Sequence, residues 1–278
     1  MQTTIKPVGR RLGGTRQLRA GGQGGRAGRK MAAVWLVRLA ILGAVLGGWQ
    51  FITTDPTWRL LIGRPTEVIS LVRAWLVDSA FWLDVSITLA ESATGYALGV
   101  AAAIGLIAII IPFPVVGRFL SPFIAIVNSL PKIALAPVFI VWFGISFQSK
   151  IYFIAVAMFF VVFYGVYSGL KNIDRTLVDN LLVMGSSGLE RVRDVYVPAT
   201  AGWLISSLRI SVAWALTAAV ISEYIASNQG LGHRIALGQQ SLDPNAVVAG
   251  IFMVALVSLT ADRLLTLIDK RFRQWRLS

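Results

Sequence analysis

Six apolar runs, each long enough to cross a bilayer as a helix, constrain the fold of this 278-residue chain more than any other feature. A transmembrane helix needs about 20 largely apolar residues. Hydrophobic residues make up 56% of the chain and charged residues 14%, which excludes an ordinary soluble domain. We therefore predict an all-α membrane protein with six transmembrane helices, at about 34–52, 85–111, 119–143, 151–170, 199–225 and 246–268.

The formal charge of +13 is concentrated in the N-terminal tail, because residues 1–30 contain eight Lys or Arg and no acid. This Gly- and Arg-rich segment has little to bury, so we predict a disordered tail at 1–31 before a transmembrane domain at 32–278. An Arg/Gly segment could bind nucleic acid. A membrane span directly behind it favours contact with anionic lipid instead, without nucleic acid. Four further cations follow the last run, and the positive-inside rule then predicts that both termini are cytoplasmic.

The absence of cysteine and the single histidine, His233, restrict the chemistry that this chain could perform. A zinc site built from His and Cys is excluded. A Ser-His-Asp triad would have to use His233. We predict neither a metal site nor a cofactor, and a chain that is not an enzyme.

An amphipathic pattern follows the first apolar run. Pro65 suits the first turn of a helix, and Val68, Leu71, Val72 and Trp75 recur at steps of three and four residues. This spacing predicts a helix with one apolar face. We expect the helix to lie on the outer membrane interface.

Four charged residues fall within the apolar runs, namely Glu91, Lys132, Arg209 and Glu223. A charge inside a span costs a few kcal/mol unless it is paired or hydrated. Lys132 also lies between Pro131 and Pro137, which should break the third span and free backbone carbonyls. We take the four charges as candidates for the translocation pathway. A permanent structural ion pair is the alternative, although Arg209 and Glu223 are about 21 Å apart along one helix.

A polar, glycine-containing segment at 171–198 separates the fourth and fifth runs. Glycine at 185 and 188 predicts two short helices joined by a tight turn. The residues Asp179-Asn180-Leu181, Gly185 and Val195-Tyr196-Val197-Pro198 resemble the cytoplasmic signature of permease subunits of ATP-binding-cassette (ABC) importers. That signature is Glu-Ala-Ala, three residues, Gly, nine residues, then Ile-x-Leu-Pro.

The resemblance covers roughly residues 60–270. It extends to one branch of these importers, whose members import nitrate, sulfonates, taurine and pyrimidine- or riboflavin-type vitamin precursors. The matching segments are Leu130 to Pro137, Trp142-Phe143-Gly144, Leu208-Arg209-Ile210-Ser211, Ser222-Glu223-Tyr224-Ile225 and Gly230-Leu231-Gly232.

The resemblance implies a type I ABC importer permease fold in the bacterial plasma (inner) membrane. It also implies three kinds of partner: two ABC ATPase subunits, a second permease copy in a homodimer, and an external solute-binding protein. In such a protein the segment 171–198 would couple the ATPase to transport. The residues expected to do so are Asp179, Met184, Gly185, Ser186, Glu190, Arg191 and Pro198. The alternative is that Asp179 and Glu190 are ordinary solvated loop charges.

A secondary transporter is the rival function, in which Glu91, Arg209 or Glu223 would couple the solute to protons. Inverted repeats, which are typical of many secondary transporters, are not visible in the sequence. The resemblance at 179–198 also weighs against this alternative. A membrane enzyme lacks any convincing set of catalytic residues.

Overall fold

The computed structural model describes the backbone of residues 23–274, and side chains within 31–264 apart from 32, 114 and 175. Residues 1–22 of the predicted tail, and the C-terminal Arg276, lie outside the described residues. From Gln23 the backbone is helical, so the first helix begins before the apolar run. Helix α1 (Gln23–Ile52) belongs, up to Phe51, to one compact unit, and the chain from Ile52 onwards forms a second.

The second unit is also helical, and the described chain contains no strand. Several helices begin at a side-chain cap, such as Asp78 before α4, Ser146 before α7 and Ser187 before α9. Its helices are α2 (Pro56–Ile62), α3 (Pro65–Val77), α4 (Ser79–Ile110), α5 (Pro114–Ser129), α6 (Ala136–Phe143), α7 (Phe147–Lys171), α8 (Arg175–Val183), α9 (Gly188–Arg191), α10 (Val197–Ile225), α11 (Leu231–Gln240) and α12 (Pro244–Gln274).

Five helical stretches in the described chain are long and apolar enough to cross a membrane. They are Ala33–Ile52, Ser79–Ile110, Phe147–Lys171, Gly188–Ile225 and Pro244–Leu264. Helices α5 and α6 together supply a sixth apolar stretch, but they are bent by 88° at the break between them. The six predicted runs are therefore all helical, and the third is divided.

The break in the third run comes from Pro131, as the sequence predicts, and not from Pro137. Leu130 is extended (φ −70°, ψ 139°), the conformation that a following proline favours. A 3₁₀ turn, Lys132–Leu135, then leads into α6. Pro137 lies in the first turn of α6, where its missing N–H removes no helical hydrogen bond.

Helices α4, α7 and α10 form the centre of the second unit. A Cβ at Gly95 would lie 2.6 Å from the Ile154 side chain, and one at Gly99 would meet the backbone of Ala155. Small residues at these i, i+4 positions let the backbones of α4 and α7 approach closely, a common feature of membrane helices. A cluster around Phe163 and Tyr167 fills the space between these helices.

The bundle has two ends, which we name after the short helices there. At the α11 end α4 and α7 begin and α10 finishes, and at the α8 end α4 and α7 finish and α10 starts. The apolar pattern after Pro65 is indeed a helix, α3. Its Val72 and Trp75 pack against a hydrophobic cluster of the protein interior that includes Phe81 and Leu231. The short helix α2 has no counterpart in our sequence predictions.

Candidate functional site

Glu91 and Lys150 form a buried ion pair at the α11 end. The ammonium of Lys150 lies 2.7 Å from Oε1 of Glu91, and the two side chains are 6% and 0% exposed. Lys150 also donates a hydrogen bond of 2.7 Å to the Ser227 hydroxyl. Oε2 of Glu91 has no hydrogen-bond partner among the described residues. Removing either charge would leave the other buried without compensation, which is strongly destabilising.

Glu223, also fully buried, connects three helices through its two oxygens. Thr88 of α4 donates a 2.7 Å hydrogen bond to Oε1, and the Gly232 amide of α11 donates one of 2.7 Å to Oε2. The Thr88 hydroxyl in turn accepts from the Leu231 amide at 3.0 Å. Because Glu223 belongs to α10, this single carboxylate fixes α10, α4 and the start of α11 to one another.

A second ion pair, Asp84 with Arg234, lies beside Glu223. The other oxygen of Asp84 accepts a 2.7 Å hydrogen bond from the Gly230 amide. Gly230 has φ +102°, and a Cβ there would collide with the Glu223 carboxylate, so glycine is required. The Arg234 guanidinium lies over the Trp75 ring, 5.4 Å from its centroid. We call Asp84, Thr88, Glu91, Lys150, Glu223 and Arg234 the buried charge network.

The structure divides the four predicted pathway residues. It brings Glu91 and Glu223 into the buried charge network, where neither is exposed in this conformation. It places Lys132 elsewhere, in the 3₁₀ turn, where its ammonium donates to the Asn128 side chain at 3.2 Å. Arg209 is exposed on α10, 14 residues before Glu223. The four charges therefore do not form one site within this chain.

The partners of Glu91 and Glu223 were missed in the sequence. Lys150 and Arg234 fall outside the predicted apolar runs, and Thr88 carries no charge. A usable signal was present, since Asp84, Glu91, Lys150 and Arg234 all lie near the same predicted membrane surface. Opposite charges at one membrane depth on neighbouring helices are expected to pair.

At the α8 end the structure shows the predicted glycine turn. Helix α8 ends at Val183, and Gly185 has φ +80°, a conformation that side chains disfavour. The Ser186 amide donates to the Leu181 carbonyl at 3.0 Å and closes this turn. Asp174 caps the start of α8, and hydrogen bonds from Thr176 hold the pKa of Asp174 below its usual value.

A capping box starts the second short helix. The Glu190 amide donates to the Ser187 hydroxyl, and the Ser187 amide donates to the Glu190 carboxylate at 2.7 Å. That backbone hydrogen bond holds the pKa of Glu190 below its usual value. Arg191 donates a 2.8 Å hydrogen bond to the Ser186 carbonyl. The predicted coupling residues from Met184 to Arg191 therefore form one compact turn.

Apolar side chains at this turn face away from the protein. Val183 is 89% exposed, Met184 80% and Leu189 79%. We call these three residues, together with Gly185 to Gly188, the α8–α9 tip. Asp179 is also exposed, on α8, and Glu190 and Arg191 follow the tip directly. Clustered exposed apolar residues beside charges are typical of interaction surfaces.

The second short helix is not separate from the fifth span, contrary to our expectation. Helix α9 continues through a π-helical turn at Val192–Tyr196 into α10, so that Gly188–Ile225 is one helical stretch. Pro198 directly follows this turn and has no N–H for the usual i→i−4 bond. The Val197 amide bonds instead to the Val192 carbonyl, five residues back.

Comparison with known proteins identifies the class of protein to which this fold and these sites belong. Residues 95–274 match the family model described as a binding-protein-dependent transport system inner membrane component, and the chain belongs to that family. It is a multi-pass inner-membrane permease subunit of an ABC importer with the type I permease fold. A secondary transporter is not supported.

Relatives with named solutes are consistent with the predicted branch. It is 26% identical to the putative aliphatic sulfonates transport permease protein SsuC of Bacillus subtilis, over 88% of this chain and 89% of the relative. It is 29% identical to the formylaminopyrimidine transport permease protein ThiX of Halalkalibacterium halodurans, over 72% and 80%. A crystal structure of an amino acid ABC transporter with histidines shares the fold, with a TM-score of 0.50, 16% identity, and coverage of 73% and 96%.

Proposed function

We propose that this permease couples the closing of two partner ATPase subunits to alternating access for a small polar solute. The proposal rests on one observation: the α8–α9 tip is exposed and apolar, and it is continuous with the spanning helix α10. A partner that moved the tip would move α10 with it, since no flexible linker separates them. Such rigid-body movement is a common way to open a membrane pathway alternately to its two sides.

The residues at the tip have distinct proposed roles. Met184 and Leu189 supply apolar contact to the ATPase, and Asp179 and Arg191 supply charge complementarity. Gly185 sets the turn, Ser186 and Glu190 hold its backbone, and Pro198 sets the π-helical turn behind it.

The other components of the proposed assembly follow from the same importer mechanism. A second copy of this chain completes the pathway, and a solute-binding protein delivers the solute at the α11 end. The positive-inside charge pattern supports cytoplasmic termini and a cytoplasmic α8–α9 tip. The solute is in the class of sulfonates or pyrimidine-type precursors, the classes named for two relatives. Glu91, Lys132, Arg209 and Glu223 remain candidates for the pathway, and the buried charge network favours a structural role for Glu91 and Glu223.

Matched charge substitutions at the two ends test the coupling role. Leu189→Asp places a charge at the tip, and Val77→Asp places one at an equally exposed apolar residue of α3. We expect Leu189→Asp to reduce co-purification of the ATPase about tenfold or more, as for a central interface residue. Val77→Asp should leave it unchanged, and both variants should reach the membrane normally. Equal co-purification of the two variants would contradict docking at the tip.

The energy source is tested in proteoliposomes that contain the permease, its ATPase and its binding protein. We expect solute uptake to require ATP hydrolysis and to continue when the proton gradient is dissipated. Uptake driven by a proton gradient without ATP would overturn the proposed mechanism.

A further inference from the structure

A cavity of about 480 Å³ opens at the α8 end, away from the buried charge network and beside the start of α10. Among the described residues, two cations, two phenols, a glycine and three apolar side chains line it, and no acid does. They are Arg118, Lys171, Tyr167, Tyr196, Gly117, Ile110, Ile111 and Leu170. Like charges that share a cavity repel each other unless an anion neutralises them.

The hydrogen-bond donors that line this cavity have few hydrogen-bond acceptors among the described residues. The exposed Arg118 guanidinium has no hydrogen bond or ion pair to any other described residue, and the Tyr196 hydroxyl likewise has none. Within the described part of the chain, the Lys171 ammonium donates one hydrogen bond, to the Ser121 hydroxyl at 3.5 Å, and it lies over the Tyr167 ring at 4.7 Å. A guanidinium, an ammonium and a phenol that face one space form a donor set suited to phosphate oxygens.

The shape of the cavity also favours a bound group. A Cβ at Gly117 would lie 2.9 Å from Ile110 and 3.7 Å from the Tyr167 hydroxyl, so glycine keeps this side open. The Tyr167 hydroxyl is fixed by its 3.1 Å hydrogen bond to the Gly117 carbonyl. Ile110 and Tyr167 belong to the apolar core between α4 and α7, and they form an apolar side of the cavity.

From this geometry we infer that the cavity binds a phosphate-bearing anion. The cavity lies where α4 and α7 end, which is the level of lipid headgroups in a bilayer. Basic pockets between membrane helices at this level bind anionic phospholipids. A free phosphate group offers the same oxygens, so the two sources share one chemistry. Through Tyr196, the bound anion would contact the π-helical turn that joins the α8–α9 tip to α10.

The test uses the full-length permease in detergent, titrated with phosphatidylglycerol and with phosphatidylcholine of the same acyl chains. We expect tighter binding of phosphatidylglycerol. Arg118→Gln should weaken that binding about fivefold, which corresponds to about 1 kcal/mol for one cation at a membrane surface. Arg263→Gln removes an equally exposed cation outside the cavity and should change nothing.

Titration with inorganic phosphate distinguishes a lipid headgroup from a free phosphate as the ligand of the cavity. If millimolar phosphate does not displace phosphatidylglycerol, and Arg118→Gln weakens lipid binding, the ligand is the lipid headgroup. If phosphate binds the wild type, and Arg118→Gln weakens its binding more than Arg263→Gln does, the ligand is the free anion. Equal binding of the two lipids without phosphate binding, or equal effects of the two variants, would overturn the inference.

Discussion

The side chains buried at the α11 end and those exposed at the α8–α9 tip are of opposite kinds. At the α11 end, the acidic residues Glu91 and Glu223 are fully buried. At the α8 end, the apolar Val183 and Met184 are almost fully exposed. Each arrangement is unfavourable for an isolated chain, because burial penalises a charge and water penalises apolar surface. The buried polar contacts hold the helices of the α11 end to one another, whereas the α8–α9 tip presents apolar surface to the partner proposed above.

The packing of the short helices shows the same difference. Helix α11 packs on α4, α10 and α12, whereas α8 has no comparable partner in the described chain. The hydrogen bonds of α11 reach residues far away in sequence, while those of the α8–α9 tip stay within a few residues. Substitutions at the α11 end should therefore affect the stability of the whole unit, and those at the tip should act locally.

The largest expected effect is that of Lys150→Met, which leaves the buried Glu91 without its partner. We expect a loss of about 3–5 kcal/mol of stability, measured by unfolding of the purified permease in detergent. Arg59→Met breaks an ion pair in which Arg59 is 53% exposed, and should cost at most about 1 kcal/mol. The double variant Lys150→Met with Glu91→Leu should recover most of the loss. Similar effects for Lys150→Met and Arg59→Met would remove the distinction between buried and exposed pairs.

An intermediate effect is expected for Thr88→Val, which keeps the side-chain shape and removes the hydroxyl. The Leu231 amide would then lose its acceptor, and Glu223 would lose a donor. Leaving such groups unsatisfied costs about 1–3 kcal/mol each. Thr88→Ser retains the hydroxyl and should be milder. The measurement is hydrogen exchange of the Leu231 amide, which should accelerate in Thr88→Val only; unchanged protection would show that Thr88 does not hold α11.

The smallest effect should occur at the tip, in the capping box of Ser187 and Glu190. Because the folded state lowers the pKa of Glu190, ionised Glu190 stabilises the turn above the usual value of 4.5. This stabilisation is lost as pH falls through the lowered pKa. We expect the protection factor of the Ser187 amide to fall below pH 4.5 in the wild type. In Glu190→Gln the protection should show no such pH dependence, and global unfolding should be unchanged at neutral pH. A pH response retained in Glu190→Gln would assign it to another group.

Much of the fold follows from local sequence patterns. Apolar length predicted the spans, the Pro65 pattern predicted α3, and Pro131 predicted the break that separates α5 from α6. Gly185 predicted the tight turn because its positive φ is a property of a single residue. For the proline break and the glycine turn, the determinant lies within about one helical turn of its effect.

The partners within the buried charge network did not follow from local patterns. Thr88 and Glu223 are 135 residues apart, and Glu91 and Lys150 are 59 residues apart. Pairing over such distances depends on which helices are neighbours and on their rotation, which a single sequence does not encode locally. The continuity of α9 with α10 was missed for a different reason, since the predicted fifth span begins at 199, whereas the helical stretch already begins at Gly188 and runs through Pro198.

The π-helical turn at Val192–Tyr196 has a consequence for the direction in which the tip points. A π-helical turn is equivalent to one residue added to an α-helix, and one residue corresponds to about 100° of rotation about the helix axis. Deleting a residue between Val192 and Tyr196 would therefore keep a helix yet swing Leu189 about a quarter of the way around α10. The side of α10 towards which the connection between the fourth and fifth spans points thus depends on one residue in the helix.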